Sequence, residues 1–148
     1  MTREEFELLI EEEFPNAIPE KFRAHIKNVG FLVEDEPSAE IRKQEGLGPH
    51  ETLLGLYQGI PYPMRGDWYG MGTTIPDTIT LYQKPIEEAS WQAEQEGRLR
   101  PSGPERTLGR ADNSHLRKII RETIWHEVAH LFGMDEHTVR GREEERDA

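Results

Sequence analysis

"NSHLRKIIRETIWHEVAHLFGMDEH", residues 113–137, sets the frame of the fold and raises the question of function in one stretch. Leu116, Ile120, Ile124, Val128 and Leu131 recur at spacings of three and four, which makes one apolar stripe on a helix. Asp112, Asn113 or Ser114 can cap its start. Gly133 is the residue that ends it, because glycine enters the left-handed region without steric cost. The pattern predicts a helix from about 114 to 132.

On that helix His126 and His130 lie about 40° apart and one turn above each other. Two imidazoles so placed can share one cation. They sit beside the apolar stripe, so they face an edge of the core. Glu127 falls between the histidine pair and the stripe, where it can act on a water without being a ligand. Zinc held this way lowers the pKa of water to about 7, and a neighbouring carboxylate can then take that water's proton. A catalytic zinc site takes three protein ligands. Gly133 turns the chain back, so Asp135, Glu136 and His137 all come into range as the third. The plain structural alternative is a pair of half-buried histidines bonded to carbonyls, with Glu127 in a salt bridge. His25, His50 and His115 stand alone and read as surface residues.

The chain has 148 residues, enough for one domain, residues 1–148, with one modest core. It has 18 basic and 29 acidic residues and a net charge of -11. That field repels phosphate backbones and anionic lipid, so neither nucleic acid nor membrane is an expected partner. The absence of cysteine excludes disulfides, thiolate metal sites and cysteine nucleophiles. The acidic start, "MTREEFELLIEEEFP", lacks the order of a secretory signal, and no apolar run approaches the roughly 20 residues that span a bilayer. The expectation is a soluble, cytoplasmic protein.

Ahead of the motif helix, "TREEFELLIEEEF" predicts a helix with a Thr2–Glu5 capping box, stopped by Pro15. "PEKFRAHIKN" predicts a second short helix opened by Pro19, with Phe22 and Ile26 facing inward. Strands are expected at 29–35, 52–60 and 77–85, with "EPSAE" as a turn after the first. "PYPMRGDWYGMGTTIP" is a long loop with aromatic side chains, suited to a lid or binding wall or to a self-pinned loop. Residues 86–100 predict an exposed helix, and 101–113 a linker.

"HEVAHLFGMDE" resembles the extended H-E-x-x-H-x-x-G-x-x-(H/D) pattern of the zincin metallopeptidases, with Glu136 at the third-ligand position. The chain is more closely similar to the minimal zincin-like metallopeptidases of bacteria. The similarity runs through "PEKFRAHIKNVGFLVEDEP", "LLGLYQGIP" and "PDTITLYQKPIE" to the motif. It implies an α+β fold, a small mixed β-sheet packed against helices, with the motif on a C-terminal helix. It implies one zinc per chain at His126 and His130, with Glu127 as general base. It also implies that a strand beside the cleft binds substrate by strand addition. Glutamate departs from the usual third ligand, which leaves Asp135 and His137 as alternatives. No methionine follows Glu136, so the methionine turn of the larger relatives is not expected.

The function these readings favour is zinc-dependent hydrolysis of peptide bonds through a metal-activated water, on a peptide or protein substrate. Tyr62 and Tyr69, in the long loop, are the candidates for contacting substrate. The alternative is a metal-binding or peptide-binding domain of the same fold without turnover, since so small a chain has little room for a second subdomain. A metal-dependent ribonuclease with three histidines fits poorly, because that pattern lacks the glutamate after the first histidine. Oligomeric state leaves no mark on the sequence, though an exposed strand edge would invite pairing.

Overall fold

The structure is a computed structural model, and it describes residues 1–26, 29–59, 77–99 and 113–133. The elements run α1 (Arg3–Ala17), α2 (Glu20–Arg23), β1 (Val29–Glu34), α3 (Ala39–Gln44), β2 (Gly55–Gln58), β3 (Asp77–Tyr82), α4 (Gln83–Leu99) and α5 (Ser114–Leu131). The long loop and the linker read from the sequence lie outside the described residues.

The three strands form one mixed sheet in the order β1-β3-β2. β1 runs parallel to β3, and β2 runs antiparallel to it. The fold is therefore α+β, as the family resemblance implied. In register, Val29, Phe31 and Val33 share a face with Asp77, Ile79 and Leu81, and with Gly55 and Tyr57. That face packs on α1 and α5. Ile79 and Leu81 are fully buried there with Phe6, Ile86, Ile120, Ile124, Trp125 and Val128. On the other face Leu32 of β1 is half exposed, while Thr80 and Tyr82 of the central strand are buried.

Each helix has a local cause. The Thr2–Glu5 box forms at the start of α1: the Glu5 amide donates to Thr2 Oγ1 at 3.1 Å, and the Thr2 amide to Glu5 Oε2 at 3.0 Å. Pro15 does not stop α1, which runs on to Ala17. Proline there removes one bond in the last turn, and the burial of Ala17 and Ile18 offsets it. α2 is a single turn, shorter than the sequence suggests, and Phe22 leaves it to meet Trp125 and Phe132 at ring separations of 5.5 and 5.1 Å. The "EPSAE" turn is the start of a helix. Ser38 caps α3 by accepting from the Ile41 amide at 3.2 Å. β2 is four residues long where nine were expected, and β3 ends at Tyr82 rather than at 85. α4 follows β3 directly and carries Pro85 in its first turn, where no amide is needed. Ile86 is fully buried, so α4 is anchored at its start rather than exposed throughout.

The motif helix is clamped to α1 by charge. The Glu13 carboxylate, almost wholly buried, accepts from Arg117 and Arg121 at 3.0 Å each and from Asn16 at 3.4 Å. Burial alone would raise its pKa, but the two arginines and Asn16 outweigh that and hold it below the ordinary 4.5. No described helix is long and apolar enough to cross a membrane.

Candidate active site

All five residues of the expected apolar stripe, Leu116, Ile120, Ile124, Val128 and Leu131, are buried on α5. Trp125 and Ala129 are buried as well, because α2 and the sheet flank the stripe on its second side. The histidines take the edge of that face: His126 is half-buried and His130 exposed. Four residues of helix separate them by about 6 Å along the axis, with their side chains on one side. The last turn, which carries His130, is pinned by the Phe22–Phe132 ring contact and by the Gly133 amide, which donates to the His130 carbonyl at 2.9 Å. Gly133 has φ 76°, the left-handed end expected of it.

Glu127 is half-buried and points toward the sheet. Its Cγ would lie 3.2 Å from a Cβ built on Gly55, the first residue of β2. Thr123 Cγ2 would lie 2.8 Å from the same position, and the Thr80 carbonyl oxygen 3.2 Å. Only glycine lets β2 come this close to the motif helix. The Tyr82 amide donates to the Leu54 carbonyl at 2.9 Å. In an antiparallel ladder alternate pairs exchange bonds, so the amide and carbonyl of Gly55 point away from β3. Among the described residues no strand pairs with that outer edge. The general-base candidate therefore sits against a strand whose outer edge is unpaired among the described residues.

Two imidazoles on successive turns are a donor set that fits zinc, whose ligands are nitrogen, sulfur and carboxylate oxygen. Among the described residues no third histidine or acid joins them in a cluster of metal-binding size. Asp135, Glu136 and His137, the residues proposed as third ligand, lie outside the described residues. So do Tyr62 and Tyr69. His25, His50 and His115 are exposed.

One tyrosine outside the expected substrate-contacting pair feels the charge of Glu127. Tyr82, at the end of β3, is buried, and burial raises its phenol above the ordinary 10.0. The carboxylates of Glu34, Glu127 and Glu45 push it the same way. Its hydroxyl thus stays protonated within the field of Glu127. Its place at the end of the central strand was the available signal.

The sequence model of the zincin-like metallopeptidases matches residues 26–100 and 105–146. The chain belongs to that family. The match takes in β1 to β3, α4 and the whole of α5, and so includes Gly55, His126, Glu127 and His130. Among the described elements, only α1 and α2 fall outside it. Comparison with curated proteins gives no match. Membership in a zincin-like family makes a zinc peptidase the general class of function and zinc the metal its residues would take.

Proposed function

We propose that this zincin-like chain hydrolyses peptide bonds in an extended segment laid along the outer edge of β2. His126 and His130 would hold zinc through ring nitrogens, with Glu136 as third ligand and Asp135 or His137 as its alternatives. When bound, zinc supplies Lewis acidity for the scissile carbonyl and acidifies water. The Glu127 carboxylate takes a proton from the water whose oxygen attacks the carbonyl carbon. It returns that proton to the amine nitrogen as the carbon–nitrogen bond breaks. The outward amide and carbonyl of Gly55 would hold the peptide backbone in register beside Glu127.

The observation that carries this reading is the contact between Glu127 and the first residue of β2. It brings a candidate base and a candidate substrate strand together on residues far apart in sequence. The test is Glu127→Gln, assayed on a peptide library after metal analysis. The expected result is about one zinc per chain and a loss of hydrolysis of roughly 100-fold or more. Retained zinc with unchanged turnover would remove Glu127 from the mechanism. Peptide binding without cleavage by the zinc-loaded wild type would leave a binding domain instead.

A further inference from the structure

Gly55 meets three neighbours at the position where any other residue would carry its Cβ. Two of them cannot give way. The Thr80 oxygen at 3.2 Å is main chain of the central strand. The Thr123 methyl at 2.8 Å is fixed because Thr123 Oγ1 donates to the Ile119 carbonyl at 2.7 Å, which sets the rotamer that aims Cγ2 at β2. Thr123 is also buried, so rotating it would strand the hydroxyl in the packed interface. The third neighbour is the Cγ of Glu127 at 3.2 Å, part of a longer and only half-buried side chain.

We propose that Gly55 is a positioning residue for Glu127: its missing side chain leaves the slot, walled by Thr80 and Thr123, against which the Glu127 methylenes rest. This rests on the reading of Glu127 as general base. A methyl group at 55 meets the Thr123 methyl first, which strains the packing of β2 on α5, and it also presses the Glu127 methylenes, the flexible side-chain contact of the three, aside by a few tenths of an ångström. The carboxylate lies beyond Cγ, and a displacement there is magnified by the lever of the side chain. About 1 Å of misplacement costs on the order of 100-fold in rate, so a few tenths of an ångström at Cγ, enlarged at the carboxylate, costs a few-fold to about 10-fold.

The experiment compares wild type with Gly55→Ala, Thr123→Ser and the double variant. Zinc content, thermal midpoint, kcat and KM on a fluorogenic peptide are measured for each. Gly55→Ala is expected to keep its zinc, to lower the midpoint, and to lose a few-fold to about 10-fold in kcat with KM changed less. Thr123→Ser keeps the hydroxyl and deletes the methyl. The double variant should therefore recover the midpoint, but not kcat, because the contact with Glu127 Cγ remains. Recovery of kcat in step with the midpoint would make Gly55 a packing residue only and overturn the proposal, as would an unchanged kcat in Gly55→Ala. If the wild type has no turnover, the peptidase reading fails, and a second cycle still decides the contact. Gly55→Ala should lower the thermal midpoint less in a Glu127→Ala background than in the wild type. An equal drop in both overturns the proposal.

Discussion

The two edges of the sheet are treated differently. At the β1 edge, Arg3 reaches across from α1 and donates Nη1 to the Val33 carbonyl at 2.8 Å. Its Nη2 bonds Asp35 at 2.6 Å and its Nε bonds Gln83 at 3.2 Å. A charged side chain thus occupies an acceptor that an incoming strand would need, which is a known way of blunting an edge. At the other edge β2 pairs only with β3 among the described residues, and its first residue rests on Glu127. One edge is closed by scaffold and the other borders the site. If a substrate strand adds to this sheet as proposed, the Arg3 contact leaves the β2 side for it and discourages self-pairing at the β1 edge.

The contrast extends to energetics. The α1 side should carry stability, and the β2 side activity. The largest test is Glu13→Ala. Breaking a buried ion pair costs about 3–5 kcal/mol, but Arg117 and Arg121 are each about one-third exposed, so about 2 kcal/mol is expected here. Denaturant unfolding measures it, and zinc content should be unchanged. A loss of zinc without loss of stability would reverse the assignment of the two sides.

The same carboxylate gives a pH test with a defined sign. Arg117 and Arg121 hold the folded pKa of Glu13 below 4.5 against the opposing effect of burial. Its contribution is therefore present above the unfolded value and is lost as pH falls through the folded one. Below pH 4.5 the wild type should lose stability more steeply than Glu13→Gln, and the two curves should converge in acid. Parallel curves would show that the arginine clamp does not work through charge.

Next in size is Arg3→Ala. Arg3 and Asp35 are both substantially exposed, so their pair adds little, and the bond to the Val33 carbonyl is the main loss, about 1 kcal/mol. The variant should also self-associate at high concentration in sedimentation, because the β1 edge is uncovered. Self-association equal to wild type would mean that α1 itself, not Arg3, guards that edge.

The motif helix was legible because its stripe, its histidines and Gly133 all lie within one local period. The order of the elements followed from equally local patterns, whereas the mixed sheet was implied by the family resemblance. The features that differ were decided by contacts across the chain. Pro15 is tolerated because Ala17 and Ile18 are buried beyond it. Trp125 is buried because Phe22 of α2 lies against it. Gly55 looked like an ordinary glycine in a strand. Its meaning depends on Thr123 and Glu127, which sequence spacing cannot bring to it. Likewise Tyr62 and Tyr69 drew attention for the loop that holds them, while the charge of Glu127 acts on Tyr82, at the end of β3.

The smallest effect sharpens the comparison most. Glu127→Gln should change unfolding stability by about 0.5 kcal/mol, far less than Glu13→Ala, because the amide keeps the length and shape of the side chain and can still accept a hydrogen bond. The amide keeps the Cβ and Cγ that pack against Gly55, so the strand–helix contact survives. What changes is the ability to hold a proton. The scaffold variants move stability and spare the metal; this one should move turnover and spare stability. A cost near 2 kcal/mol would place Glu127 among the groups that hold the fold, as Glu13 does, and the division between the two edges would no longer separate structure from chemistry.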